Sequence, residues 1–437
     1  MGTRSQPRLR AVSSCSASTR EDWAHRQLGE NSGQAESNAI IDFSVGADPE
    51  TEPNQRYLRN KGGAFGGIYA TQMAEMGLLI IGDQRHAIPI CTERALPLAA
   101  AFGAELGSMA EVFFDVVKAG SVSISVLDQL KGMKPTAIQT GHEEHRLLLD
   151  ILLGKAAPPS TADLMRRRTM LMLLTLTESA ESIPRAEDAK WHWFSDRADS
   201  DAPASDEDVR ELWALYQACD LMRLAYETIL SAALTMLETA PSRRLTLEDL
   251  VDRLVGFIAP PEDQTWPNFK QLFLSADGPA VTARRHATAM TDAIASGSTE
   301  DQVRASLALI TALVDKATEL TAFMDRALNA AEHFQSLRTE VRFLQDQTTA
   351  SAKVVVETMI RERILKRHLW VASRKFRNQK AYTFLMEPED SVLRYRDYFR
   401  VSPSSPRLDQ ALRFLSDIKL IDEGGLTDLG RAELVAG

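Results

Sequence analysis

Apolar residues recur at helical spacing through most of the stretch from about 109 to 360, and this constrains the fold of the 437-residue chain more than any other feature. The pattern falls in segments 109–119, 143–153, 161–177, 208–239, 246–258 and 301–360. Its interruptions are Ala157-Pro158-Pro159-Ser160, the stretch 196–208 with six carboxylates against one Arg, and the turn at Ala259-Pro260-Pro261. A chain patterned this way must bury helix against helix, so its middle reads as a helical bundle. The segment holding Trp213, Tyr216, Leu221, Met222, Tyr226, Ile229 and Leu230 is apolar on most of its circumference. That predicts a helix inside the bundle. The acidic interruption reads as a loop or boundary.

The stretch 313–345 is more regular. Leu313, Leu320, Ala327, Phe334 and Val341 recur every seven residues, with Phe323, Ala330, Leu337 and Leu344 three residues after the last four. Such an a/d seam predicts an extended helix, either a long bundle helix or a coiled coil through which two copies could pair.

Both ends of this helical middle carry shorter, turn-rich text. Gly62-Gly63-Ala64-Phe65-Gly66-Gly67 leads into a helix ending at Gly77, a C-terminal cap residue. Leu78–Ile81 and Ala87–Ile90 then read as two strands about Gly82-Asp83, followed by a helix from about Glu93 to Leu106. Helix, apolar hairpin, helix is the order of a winged helix–turn–helix unit. A second such unit is expected at the end: Arg407 to Asp417 as helix, Leu420-Ile421 and Leu426-Thr427 as a hairpin about Gly424-Gly425, and Leu429 to Val435 as a closing helix. The first twenty residues hold four Arg, many Ser and no acid. Without an amphipathic stripe they read as a solvated tail in preference to a transit peptide. The expected organisation is a disordered tail over 1–40, a winged-helix domain over 41–108 and a helical bundle over 109–300. A long helix and a basic helix follow over 301–380, then a C-terminal winged-helix-like domain over 381–437.

Composition narrows the function classes. The chain is 44% hydrophobic and 25% charged with a formal charge of −10, so any nucleic-acid contact must come from a local basic patch. No apolar run approaches the roughly 18–20 residues of a membrane span. Cys15, Cys91 and Cys219 form no C-x-x-C pair, which argues against a cysteine-rich zinc site and for a reducing, cytoplasmic compartment.

The strongest local signal is 361–380, with eight Lys or Arg against one acid. On a helix at about 100° per residue, Arg363, Lys366, Arg367, Arg374 and Arg377 share about a third of the circumference with Trp370. Ile364, Leu365, Leu369, Val371, Ala372 and Phe376 take the other side. A cationic stripe around an aromatic, backed by an apolar face, suits phosphate contact with base or sugar stacking. In the first winged unit Arg59, Lys61, Tyr69, Thr71 and Gln72 are the polar groups placed to reach DNA.

Enzyme signatures are thin. The Gly62–Gly67 run lacks the Gly-Lys-Ser/Thr of a phosphate loop. His142-Glu143-Glu144-His145 spaces its histidines three apart, where the zincin motif needs four, and its acids suit a helix start. Asp188 and Lys190 could serve a metal-dependent nuclease, but the triplet lies beside a Pro-containing loop, not on paired strands. No cofactor is expected.

The order of winged helix, helical bundle, acidic loop, long helix and terminal winged unit resembles the kleisin-type subunits of bacterial SMC and MukBEF-like complexes. It is also similar to winged-helix accessory proteins of bacterial anti-phage operons. The resemblance implies protein partners, an SMC-type ATPase among them, bridged by the terminal units. Together with the basic stripe, it gives the expectation of a non-enzymatic DNA-binding and scaffold subunit of a bacterial multi-protein system. The alternatives are a kleisin-like bridge without DNA contact, and a cryptic metal-dependent nuclease.

Overall fold

A computed structural model describes residues 40–42, 65, 69–82, 88–155, 159–195, 207–328 and 335–436. The tail, the Gly-rich run apart from Phe65, Arg59, Lys61 and most of the acidic stretch lie outside the described residues. The chain is mainly helical with few strands, and it separates into two compact units. One comprises Met1–Pro184 with Asp409–Gly437, the other Arg185–Leu408.

In chain order the first unit holds β1 (Ile40–Asp42), α1 (Ala70–Glu75), β2 (Leu79–Ile80), β3 (Ile90–Cys91), α2 (Leu96–Leu106), α3 (Met109–Ala119), β4 (Ser121–Ser123), α4 (Ile124–Gln129), α5 (Glu143–Leu152) and α6 (Thr161–Ala180). The second holds α7 (Ala186–Trp193), α8 (Glu207–Thr239), β5 (Arg244–Thr246), α9 (Leu247–Ile258), α10 (Trp266–Lys270), α11 (Pro279–Ser296), α12 (Thr299–Lys316), α13 (Thr321–Ala327), α14 (Leu337–Gln345) and α15 (Ala352–Thr358). A π-helical turn, Met359–Leu365, then runs into α16 (Lys366–Gln379), β6 (Met386–Glu389) and β7 (Val392–Tyr395). The chain ends with α17 (Leu408–Asp417), β8 (Ile421–Asp422), β9 (Gly425–Leu426) and α18 (Asp428–Ala436).

The helix–hairpin–helix order expected near both ends is present, as α1–β2–β3–α2 and as α17–β8–β9–α18. Each hairpin has strands of only two residues. The terminal element does not stand alone: α18 and β9 pack on α6. The buried His145 bonds through Nε2 to the Ile418 carbonyl at 2.9 Å, and Lys155 pairs with Glu433 at 2.6 Å. The segment expected as one domain, 381–437, is therefore shared between the units, with β6 and β7 in the second.

A buried polar junction organises the first unit. Ser160 caps α6 by accepting from the Asp163 N–H at 3.0 Å, while Asp163 accepts in return from the Ser160 N–H, which makes a capping box. Arg166 pairs with Asp163 at 2.5 Å and also donates to the Ile151 and Leu152 carbonyls at the end of α5. Arg94 approaches the same carboxylate at 3.4 Å. Gly154, at φ +59°, lets the chain turn where a Cβ would strike the Asp163 carbonyl.

In the second unit α8 runs through the core, as its all-round apolar surface predicts. Leu221, Met222, Tyr226, Ile229 and Leu230 are buried, while Trp213 and Tyr216 are half-buried. It packs chiefly on α12, which in turn packs on α11. The antiparallel sheet β5–β7–β6 closes one side, with Thr246 opposite Val392 and Asp390 at φ +55° in the β6–β7 turn. Asp tolerates this left-handed conformation better than most residues.

The extended helix expected over 313–345 does not form. α12 stops at Lys316, α13 spans only Thr321–Ala327, and α14 starts afresh at Leu337. Ser336 lies at φ −147°, ψ 165°, outside helical space, and it exchanges capping bonds with Thr339. A helix is thereby nucleated where the heptads ask for continuation. The apolar repeats are spent within the unit: Leu313, Leu320, Leu337, Val341 and Leu344 are buried in its core, and Ala327 is exposed. Phe334 and Ala330 lie outside the described residues. Among the described residues no single helix is long and apolar enough to cross a membrane.

Candidate nucleic-acid interface

α16 has the two faces its sequence requires. Ile364 and Leu365 just before it, and Ala372 within it, are buried in the core of the second unit, while Leu369 and Val371 are half-buried. Trp370 stands 41% exposed on the opposite side. The Arg367 guanidinium lies 4.3 Å from the Trp370 ring centroid and that of Arg374 lies 5.4 Å away. Two cations therefore bracket one indole, within cation–π range. Arg377 is exposed further along the helix.

Arg363 is not part of this surface. It precedes α16 within the π turn, and its guanidinium grips Glu340 bidentately, with Nε–Oε2 at 2.7 Å and Nη2–Oε1 at 2.6 Å. Glu340 is 1% exposed and also accepts from the Tyr226 hydroxyl at 2.7 Å. Burial pushes the Tyr226 phenol well up from its ordinary value, and the Glu340 charge adds to that, so Tyr226 serves as a neutral donor. Arg363 also lies 4.8 Å over the Phe343 ring. Arg363, expected to contact phosphate, is engaged here in an internal ion pair. Lys366 keeps its place on the exposed side, paired at 2.7 Å with Glu362 across one turn. Both partners are about half exposed, so the pair contributes little, on the order of 0.5 kcal/mol, and yields readily to a phosphate.

Phe376 also departs from expectation: it is 47% exposed, not core. Its ring meets Tyr382 edge-on at 6.4 Å, and Tyr382 meets Phe384 at 5.5 Å. Arg396 lies over the Tyr382 ring at 5.8 Å, and the Tyr382 hydroxyl donates to Glu387. Sequence reasoning does not single out these aromatics past the helix end, although Phe376, Tyr382 and Phe384 are interleaved with Arg377 and Lys380. From 363 to 386 the chain carries seven Lys or Arg and no acid.

His368 supports α16 from behind. Its Nε2 accepts the Leu385 N–H at 3.1 Å, tying α16 to the strand that follows. Burial pushes the imidazole down to about 4, with Lys375 adding to the effect. It is therefore neutral at physiological pH and free to accept.

The first unit assembles less. Tyr69, Thr71 and Gln72 are exposed on and beside α1, a helix of six residues with no Lys or Arg in it. Arg94, the nearby described cation, is turned inward to Asp163. Tyr69, Thr71 and Gln72 belong to the first unit and the basic face to the second, while Arg59 and Lys61 lie outside the described residues.

The residues weighed for catalysis make local structure. His142 pairs with Glu105 at 2.8 Å, and His145 is the buried bond to Ile418. Asp188 is held by Arg185 at 2.8 Å, and Lys190, only 5% exposed, by Glu187 at 2.6 Å. Among the described residues no three His, Cys, Asp or Glu side chains are grouped to hold a metal ion. No protein-family model, curated protein or solved structure matches the chain.

Proposed function

We propose that the chain is a non-enzymatic DNA-binding protein whose second unit contacts the phosphate backbone through the exposed face of α16. The observation carrying this is the Trp370 indole bracketed by Arg367 and Arg374. The helix itself adds no negative charge to that face, because no carboxylate occurs between 363 and 386. On a chain of net charge −10, such a patch survives only as a local field, which suits an anionic partner approaching that face alone. Lys366 and Arg377 extend the cationic row and Phe376 offers a further ring for stacking, while Tyr69, Thr71 and Gln72 contribute no comparable charge. Contacts of this kind read backbone geometry, so weak sequence preference is expected.

The test is fluorescence anisotropy with a labelled duplex across a salt series, comparing wild type with Arg367→Glu/Arg374→Glu/Arg377→Glu. Binding that weakens steeply with salt and collapses in the variant is the expected result. Absence of binding at low salt, or a variant that binds like wild type, overturns the reading and favours the protein-bridging scaffold.

A further inference from the structure

The second unit contains a pocket of about 510 Å³ between α8, the start of α14, the π turn and α16. That volume lies in the ordinary range for small-molecule sites, roughly 300–1,000 Å³. Its walls are largely apolar, formed by Met222, Leu230, Leu337, Ile364 and Val371. Cys219 lines it too, and burial pushes its thiol up to about 11, so it is present as a neutral, unreactive group.

The polar groups around the pocket are almost all satisfied by one another. Arg223 is held by Asp220 at 2.6 Å and by Glu227 at 2.5 Å. Arg363 and the Tyr226 hydroxyl are both taken up by Glu340. Gln335 donates its amide to the Arg363 carbonyl at 3.0 Å, and Ser336 caps α14. His368 accepts from Leu385. Arg367 differs: among the described residues no carboxylate comes within ion-pair distance of it, its guanidinium lies over the Trp370 ring, and the Glu340 charge acts on it only from farther off. Arg223, Arg363 and Arg367 thus balance Asp220, Glu227 and Glu340 in number, and Arg367 is the arginine of this set without a direct carboxylate partner among the described residues.

We propose that this pocket binds a small amphipathic monoanion, a carboxylate or sulfonate on an apolar body, with its charge on Arg367 and its body against Met222, Leu230, Leu337, Ile364 and Val371. A neutral apolar ligand gives Arg367 no direct anionic partner. A di- or trianion meets Glu227 and Glu340 without cations to spare. The site stands apart from the DNA-binding reading, although Arg367 belongs to both surfaces, so an occupied pocket withdraws one cation from the α16 face.

The test uses the full chain and the fluorescent probe anilinonaphthalene sulfonate, an aromatic monoanion, displaced by dodecanoate or by dodecanol. The expected result is one saturable site, with dodecanoate displacing the probe at least tenfold more effectively than dodecanol. Arg367→Gln should remove about tenfold of the dodecanoate affinity and leave that of dodecanol unchanged. Val371→Trp, which fills the cavity, should abolish both; if it fails to fold, Arg367→Gln alone decides. Equal displacement by acid and alcohol, indifference to Arg367→Gln, or no saturable site each overturns the assignment. Salt-dependent duplex binding is measured separately, so loss of either activity leaves the other readable.

Discussion

Replacing Arg363 and replacing Arg374 with Arg377 should have opposite consequences, although all three share one stripe on a helical projection. In Arg363→Met the guanidinium that satisfies both oxygens of Glu340 is removed, and a carboxylate only 1% exposed keeps just the Tyr226 hydroxyl and the Thr339 hydroxyl, at 2.7 and 3.1 Å. Breaking one side of a buried pair costs about 3–5 kcal/mol, most of it the stranded charge. For a cooperative unit of 150–250 residues this lowers the melting temperature by roughly 6–20 °C. Calorimetry and guanidinium titration of the full chain read the loss. Adding Glu340→Gln should recover part of it, because the stranded charge goes with it. In Arg374→Gln/Arg377→Gln stability should change by less than about 1 kcal/mol. The slope of log K for duplex DNA against log salt should instead become shallower by about 1.8, at roughly 0.9 per phosphate contact. A stable Arg363→Met that has lost DNA binding would refute the division of the stripe into a structural and a ligand-facing part.

Three further outcomes follow from buried polar geometry and close backbone approach. Folding keeps His368 neutral with its pKa at about 4, against an ordinary 6.5, so the unfolded chain takes up the proton first as pH falls. Stability should therefore decline between about pH 6.5 and 4 by at most about 3 kcal/mol, a limb that His368→Gln removes in denaturant titrations at stepped pH. Burial drives the Asp163 carboxyl upward, but hydrogen bonds from Arg166, Ser160 and Arg94 outweigh it and hold the group well below the usual carboxylate range. Its contribution is present at neutral pH and lost as pH falls below about 4, and Asp163→Asn should cost about 2–4 kcal/mol at pH 7, erasing that acid limb in thermal melts. Gly430 lies where a Cβ would overlap the Leu420 carbonyl oxygen and crowd Leu426, so Gly430→Ala should destabilise the first unit by about 1–3 kcal/mol, seen as faster amide exchange in α17 and α18.

What can be read from the residues is what depends on local periodicity. The burial of α8 follows from an apolar circumference, and the two faces of α16 follow from where Ala372 and Trp370 fall on one turn-by-turn projection. The helix–hairpin–helix order at each end follows from Gly77, Gly424 and Gly425 standing between apolar pairs. The interruption of the heptads is hidden because it depends on a competition. Helices end at Lys316 and Ala327, and Ser336 and Thr339 satisfy each other's backbone to start α14 afresh, although the a/d residues are apolar enough for a continuous seam. The β6–β7 hairpin escapes sequence reading for a related reason: Met386–Tyr395 is mixed in polarity, and its partner β5 lies about 140 residues upstream.

The fate of Arg363 shows why charge composition alone misleads at the candidate interface. A helical projection assigns a cation to solvent or ligand by its angle alone, but Glu340 is 23 residues away and on another helix. The π turn over Met359–Leu365 widens the backbone just where Arg363 leaves it, and the carboxylate waiting there is itself fixed by Tyr226 from α8. Past Leu365 the helix is ordinary and no acid follows until Glu387, so the same residue type at 367 and 374 lies over the Trp370 ring, where Arg363 reaches a buried carboxylate. The boundary between the Arg held by a buried carboxylate and those on the exposed face is thus the end of the π turn, and Arg367, the first Arg beyond it, both lines the cavity and lies over the Trp370 ring.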